Sequence, residues 1–284
     1  MTAPDLDRPL HGRPTESFPV VQRAGIKVSR RVTHAAGGFF GEMGRRGYFL
    51  RDIGRAMADP ATYVPETVRQ MRRIGVDSIP LAVIVASFIG AVIAMQTRYQ
   101  LFPGVELSLV GLATRMIVVL ELGPLLTALV LTGRVGARMT AEIGTMRVTE
   151  QIDALETLAY DPVAFLVVPR VLACIVMVPM LTIFANAAGV YSGYLAGTKL
   201  TGIPPADFLE GLRLGFAPFQ IVYSLLKALL FGAAIAMSCA YEGYVTTAGA
   251  EGVGRATARA VVVTSVLVLV IDALTAVILA PLLQ

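Results

Sequence analysis

Three ionisable residues deep inside long apolar segments are the first candidates for function, because a charged side chain there is costly and usually functional. They are Glu121, Lys227 and Asp272. At a rise of about 1.5 Å per residue, each lies roughly 20 Å from the end of its segment that we expect to face the cytoplasm. Because an isolated ion at that depth costs several kcal/mol, we expect Lys227 to pair with Asp272 or Glu121 on a neighbouring helix.

Glu121 is the strongest candidate for a functional role among these three. It is followed by Gly123 and Pro124, and proline removes a backbone donor from a helix and so frees a carbonyl group. Irregular backbone at membrane depth is tolerated where it lines a cavity. The pattern therefore predicts a cavity beside Glu121. The alternative is a purely structural acid that is protonated or hydrogen-bonded.

A charged segment between two apolar ones, from Glu142 to Asp161, is the second candidate site. It contains five acids and one base, Arg147, and Asp161-Pro162 ends it. Its apolar residues recur at an interrupted helical spacing, which predicts one short helix over about 143–160. A solvated connector does not need such an apolar stripe, so we expect this helix to dock on a cytoplasmic partner. The stripe consists of Ile143, Met146, Ile152, Leu155 and Leu158.

The composition indicates the class of protein that must position these residues. The chain is 55% hydrophobic and 15% charged, whereas soluble domains carry about 25% charged residues. A bilayer crossing needs about 20 apolar residues. Five segments meet that requirement, so the sequence predicts an all-α polytopic membrane protein. They lie near 79–97, 108–134, 163–197, 217–240 and 258–282.

The N-terminal part precedes these segments and carries most of the basic residues. Residues 1–36 form a polar tail, and 37–78 read as basic amphipathic helices lying in the membrane interface; two helices of a small soluble domain are the alternative. Of the 24 Lys and Arg residues, 13 precede Ile79. This bias predicts a cytoplasmic N-terminus and places the loop at 135–162 on the same side. The membrane domain then covers 79–284.

Several kinds of chemistry are not expected. His11 and His34 are the only histidines and both precede the membrane domain, so we expect no metal site and no histidine catalysis in the spans. The basic residues lack interleaved aromatic residues, so nucleic acid is not an expected partner. The chain has no Walker A pattern. It therefore binds no ATP through that loop, and any ATP drive must come from a separate polypeptide.

The motif around Glu121 resembles that of a known family. Together with other stretches it is similar to the MlaE/YrbE permeases, from roughly Val64 to the end of the chain. The stretches that carry the resemblance are Glu121-Leu122-Gly123-Pro124, Gly133-Arg134-Val135-Gly136-Ala137, Thr140-Ala141-Glu142-Ile143-Gly144-Thr145-Met146, Thr149-Glu150-Gln151-Ile152-Asp153-Ala154-Leu155 and Ala250-Glu251-Gly252-Val253-Gly254.

The resemblance implies a fold and partners. It implies an interfacial elbow helix followed by five transmembrane helices, in a homodimeric permease of the bacterial inner membrane. It also implies an ABC-type ATPase on the cytoplasmic side, which holds the ATP and magnesium, and an MCE protein on the periplasmic side. This chain would then be a non-catalytic subunit without a cofactor of its own.

The resemblance also implies roles for named residues. The charged helix corresponds to a coupling helix that docks on the ATPase, with contacts expected from Glu142, Met146, Arg147, Glu150, Gln151, Asp153 and Leu155. Phospholipid is held between two permease copies, in a cavity that involves the first two spans and the acid at Glu121. From the first two spans we expect lipid contacts from Leu81, Ile84, Phe88, Val92, Gln96, Ile117, Leu120 and Glu121.

Two other functions stay open at this point. A proton-coupled secondary carrier would use Glu121, Lys227 and Asp272 and would need no ATPase. A membrane scaffold that anchors an MCE assembly would transport nothing itself. We expect ATP-driven phospholipid transport between the inner membrane and an MCE protein.

Overall fold

The computed structural model describes residues 44–57, 60–247 and 249–279. The chain divides into two units, Met1–Tyr48 and Phe49–Gln284. Of the first unit, only residues 44–48 are described, and they are helical. The predicted polar tail at 1–36 lies outside the described residues.

The described part of the second unit is built from helices, turns and loops, without a strand. Five of its helical stretches are long and apolar enough to cross a membrane, as predicted; the first includes α2 together with α3. In chain order the helices are α1 (49–56), α2 (Pro60–Ile74), α3 (Ile79–Gln100), α4 (Ser108–Val148), α5 (Gln151–Thr157), α6 (Val163–Lys199), α7 (Pro205–Arg213), α8 (Phe219–Tyr244) and α9 (Gly249–Leu279).

Helix α6 is the centre of the bundle, and small residues let α3 lie directly against it. A Cβ atom added at Gly90 would overlap the carbonyl oxygen of Gly189, and one added at Gly193 would lie 3.0 Å from the carbonyl oxygen of Gly90. Glycines at this spacing allow close backbone approach, which drives helix packing where burial of apolar surface cannot.

Two apolar cores stabilise the bundle. The larger one joins α1 to α6 with α8 and α9, and includes Ile143 and Ile152. The smaller one packs Phe208 of α7 against Ala94 and Val110 of α3 and α4. We call the side of the bundle that carries α5 the α5 end, and the side that carries α7 the α7 end. The placement of the basic residues predicts that the α5 end faces the cytoplasm and the α7 end faces the exterior.

Helix α4 is longer than the second predicted span, which ended at 134. Its 41 residues run to Val148, because the charged side chains that suggested an end are accommodated on the helix surface. Arg134 is exposed and its guanidinium donates to the carbonyl of Asp77. The Nε atom of Arg138 lies 2.8 Å from Glu142. The helix can thus continue beyond the end of its apolar segment, with its charged side chains on the surface.

The prediction of one helix over 143–160 is wrong in its boundaries. Residues up to Val148 continue α4, and α5 is a separate helix of 7 residues. The break is at Glu150, whose φ is 59°. A left-handed residue cannot continue a right-handed helix.

A further difference concerns residues 198–216, which lie between the third and fourth predicted spans. They contain α7, which lies against α4 so closely that a Cβ atom at Gly211 would overlap the carbonyl oxygen of Ser108. The third predicted span contains two prolines, Pro169 and Pro179. A π-helical stretch, Val163–Val167, precedes Pro169, but α6 continues through Pro179 to Lys199.

Candidate functional site

The centre of the membrane domain contains a cluster of one lysine and two acids. Lys227 of α8 is fully buried, and its Nζ atom lies 2.5 Å from Oε2 of Glu121 and 2.8 Å from Oδ1 of Asp272. The expected pairing is therefore confirmed, and Lys227 contacts both acids. The ammonium group also lies 5.3 Å from the centre of the Tyr223 ring. Three helices, α4, α8 and α9, are joined through this one side chain.

The backbone at Glu121 is irregular, as the Gly-Pro pair predicted. Residues Ile117–Leu122 form a π-helical stretch, and α-helix resumes at Gly123. In a regular α-helix the carbonyl of Leu120 would bond the N–H of residue 124, and Pro124 has none. The Nζ atom of Lys227 lies 3.4 Å from that carbonyl. Lys227 thus pairs with both carboxylates and also hydrogen-bonds a carbonyl that proline leaves without its usual donor.

The two acids differ in their exposure. The Asp272 side chain is 18% exposed, whereas that of Glu121 is 43% exposed. Glu121 therefore belongs both to the buried cluster and to an open surface of α4. An acid with these two environments can respond to a ligand at that surface while it stays paired to Lys227.

The residues of α3 that were expected to contact lipid form one open face of the helix. Ile84 is 53% exposed, Phe88 71% and Val92 51%, and Gln96 is exposed one turn further on. The opposite face of α3 consists of small residues that are buried against α6. The first span thus has one face for packing and one that remains available to a ligand or a second chain.

Within this single chain, the first two spans do not enclose a lipid-sized cavity. The space between α3 and α4 is about 10 Å³ and is lined by residues such as Ala86, Ile89 and Leu122. Of the remaining predicted contacts, Leu81 is partly exposed, Ile117 is 39% exposed and Leu120 only 9%. A lipid site that uses these residues therefore needs a second surface opposite the α3 face.

The apolar stripe of the charged segment packs mostly on the protein itself. Ile143 and Ile152 are fully buried, and Met146 and Leu155 pack against the same core. Glu142 lies 3.4 Å from the buried Arg170 as well as close to Arg138. The stripe thus explains how α5 is fixed to the bundle, and it is not itself a free docking surface.

The exposed side of the α5 region carries the remaining candidates for docking. Glu150 and Gln151 are exposed, and Oδ1 of Asp153 lies 2.6 Å from Nη1 of Arg147, which ties α5 to α4. Beyond α5, Leu158 is 68% exposed and Tyr160 56%. Acidic side chains beside two exposed large apolar ones form a surface suited to a protein partner. The sequence analysis did not include Tyr160 among the residues expected at this surface.

Arg115 was also missed, although the rule that singled out Glu121 applies to it. It is a charged residue inside α4, 6% exposed. It lies at the α7 end, beside a cavity of about 700 Å³ between α4, α6, α7 and α8. Among the residues that the structure describes, no group of three or more His, Cys, Asp or Glu side chains could hold a metal ion.

Comparisons with known proteins give the same family as the sequence motifs. The profile of the family described as Permease MlaE matches residues 67–278. A probable ABC transporter permease protein of Rickettsia prowazekii is 40% identical over 215 residues, which cover 74% of this chain and 82% of that protein. One from Synechocystis is 40% identical over 206 residues, 72% of this chain and 78% of that protein.

A third relative is named for its transport function. The intermembrane phospholipid transport system permease protein MlaE of Haemophilus influenzae is 32% identical over 237 residues. The alignment covers 82% of this chain and 90% of that protein. The match to the family profile over residues 67–278 includes the lysine cluster, the open face of α3 and the α5 region.

Proposed function

The chain belongs to the MlaE family of ABC transporter permeases, and we propose that it is the membrane-spanning subunit of an ATP-driven phospholipid transporter. The observation that carries this proposal is the open apolar face of α3, together with the half-exposed Glu121 on the second span. Its large apolar side chains, such as Phe88 and Val92, are available to an acyl chain. The relative from Haemophilus influenzae, which is named as a phospholipid transport permease, supports the same ligand class.

The lipid cavity is proposed to form between two copies of this chain. A single copy presents Phe88 and Val92 on an open surface and encloses only about 10 Å³ between α3 and α4. Two such faces opposed across a dimer would shield an acyl chain from the bilayer. Glu121 would lie at the wall of that cavity, where its charge is balanced by Lys227. The lipid would pass to an MCE protein at the α7 end.

Energy for transport would come from a separate ABC-type ATPase that docks on the α5 region. Helix α4 connects this region to the cavity, since its 41 residues span roughly 60 Å. It carries two π-helical stretches, Ile117–Leu122 and Thr132–Gly136. Such stretches are frequent at functional sites. A displacement of α5 would therefore reach Glu121 along one continuous helix.

This model implies an orientation in the bacterial inner membrane. The α5 end and the N-terminus face the cytoplasm, where the ATPase and its ATP and magnesium are found. The α7 end faces the periplasm. The placement of the N-terminal arginines supports this orientation.

The docking role of α5 is tested by charge reversal. We expect Glu150→Lys combined with Asp153→Lys to abolish co-purification of the ATPase, because two exposed acids of the surface change sign. The matched control reverses Glu106 and Glu210, two exposed acids at the α7 end, and should retain the ATPase. Retention of the ATPase by the first variant would refute the docking role.

The lipid role of α3 is tested by photo-crosslinking in the assembled complex. A photoreactive residue at Phe88 or Val92 should label radioactive phospholipid, and the yield should change when ATP is supplied. The same residue at Val266, which is 56% exposed on α9, should label lipid independently of ATP. Absence of adducts at both α3 positions, with strong ones elsewhere, would remove the assignment.

The lysine cluster supports a second candidate, a proton-coupled carrier. Two carboxylates that contact one buried ammonium group could take up and release a proton. Such a carrier would transport lipid in response to a proton gradient without any ATPase. Transport by the permease alone in gradient-bearing vesicles would favour it over the ATP-driven function.

A further inference from the structure

A groove at the α7 end opens sideways from the bundle and is separate from the α3 face. Its volume is about 700 Å³, and its walls are mostly apolar, with Arg115 and Gln220 at one end and Asn186 near the other. Ala187 and Val190 of α6 line it, whereas Gly189 and Gly193 of the same helix face α3. The groove therefore lies on a different face of α6 from the proposed transport cavity.

The polar end of the groove is formed by Arg115. Its guanidinium donates to Oε1 of Gln220 and, over 2.7 Å, to the carbonyl oxygen of Leu214. It lies 5.5 Å from the centre of the Phe216 ring. All three groups are uncharged, and the Nε atom is buried without a hydrogen-bond partner in the described chain. A cation that is 94% buried thus lacks a compensating anion among its described contacts.

The length and polarity of the groove fit one leaflet of a bilayer. Its lining on α6 extends from Ile183 to Tyr194, a rise of roughly 16 Å. One leaflet contributes about half of a hydrocarbon core that is about 30 Å thick. Arg115 lies with Leu214 and Phe216 at the end next to α7, and Ile183 lies at the end nearer the bilayer centre.

We propose that this groove binds an anionic phospholipid of the leaflet at the α7 end, with its phosphate on Arg115 and an acyl chain along α6. The phosphate supplies the charge that the guanidinium lacks, and charge-assisted contacts of this kind are strong. The exposed rim residues Tyr191, Ile221 and Leu209 allow the lipid to enter from the side. Such a site requires only a surrounding bilayer that contains anionic phospholipid. The proposal therefore does not depend on phospholipid being the transported substrate.

The test measures the lipid that stays on the purified full-length chain. The protein is extracted from vesicles of equal phosphatidylglycerol and phosphatidylcholine, and the retained lipid is quantified by mass spectrometry. We expect enrichment of phosphatidylglycerol, and about tenfold weaker retention in Arg115→Gln, as expected for loss of one charged contact. Arg115→Lys should retain part of the preference. Arg213→Gln, an exposed arginine of α7, is the matched control and should behave as the parent chain.

A second variant separates binding from folding, since Arg115 also holds Leu214 and Gln220. Ala187→Trp fills the groove from its exposed wall and should abolish phosphatidylglycerol retention while the bundle stays folded. Val266→Trp adds the same ring to an exposed site on α9 and should have no effect. Unchanged retention in Ala187→Trp would overturn the proposal. So would cross-linking of groove residues to a transmembrane helix of a partner protein, which would assign the groove to that helix.

Discussion

Replacing Lys227 with methionine would leave two carboxylates facing each other at the centre of the membrane domain. The lysine Nζ atom now lies 2.5 Å from one and 2.8 Å from the other. Removing one partner of a buried ion pair costs about 3–5 kcal/mol, because the remaining charge stays buried without compensation. We expect Lys227→Met to lower the free energy of unfolding by at least this amount.

The exposure of the two acids predicts an asymmetry between their own variants. Asp272 is 18% exposed, so Asp272→Asn should lose most of a buried interaction, roughly 3 kcal/mol. Glu121 is 43% exposed, and water screens its charge, so Glu121→Gln should cost about 1 kcal/mol. The loss of transport activity should be larger for Glu121→Gln than for Asp272→Asn, since Glu121 is the acid at the open surface.

The assay is unfolding of the purified chain by a denaturing detergent, followed by far-ultraviolet circular dichroism. A triple variant, Lys227→Met with Glu121→Gln and Asp272→Asn, has no charge left to bury and should recover most of the lost stability. If the triple variant were no more stable than Lys227→Met, the loss would come from packing. If Glu121→Gln cost more than Asp272→Asn, the exposure argument would be wrong.

Three further predictions concern packing, backbone and accessibility. Gly90→Ala should destabilise the fold by about 1–3 kcal/mol, because the added methyl group overlaps the backbone of α6. Gly133→Ala should not destabilise it, because a methyl group there meets nothing within 4 Å. Equal losses of stability in detergent unfolding would contradict this prediction. Glu150→Gly should preserve the α5 region. Glu150→Val should lower the stability of this region by about 1–2 kcal/mol, because valine is strained at the φ of 59° found there. Equal protease sensitivity of the two variants would contradict this prediction. Cys174 and Cys239 are buried and should react with a maleimide only after unfolding; labelling of the native chain would refute their burial.

The span count and the lysine cluster could be predicted because membrane physics constrains them strongly. An apolar stretch long enough to cross the bilayer has few alternatives to a helix, and a buried lysine needs an acid at its own depth. Equal depths of Glu121, Lys227 and Asp272 were therefore sufficient to predict the pairing. The Gly-Pro pair predicted irregular backbone for an equally local reason.

The α5 region shows where sequence reasoning stops. A stripe such as Ile143 and Ile152 shows that an apolar face needs a partner, but not which surface supplies it. Here the partner is the bundle itself. The break at Glu150 carried no signal either, because glutamate rarely adopts a positive φ.

The groove at the α7 end could not be predicted because it depends on the position of α7. Pro205 and Asp207 are typical of the start of a helix, but nothing in residues 205–213 shows that this helix folds back on α4. Arg115 itself was visible as a charge in an apolar span. Its uncharged surroundings become apparent only once α8 and the loop before it are placed.

The proposed transport function is tested most directly in vesicles that contain the purified permease and a labelled phospholipid in one leaflet. We predict that label moves to an acceptor MCE protein only when the ABC-type ATPase and ATP are both present, and that Glu150→Lys with Asp153→Lys stops this movement. Transfer by the permease alone, or transfer that persists in that variant with ATP and the ATPase, would contradict the proposal.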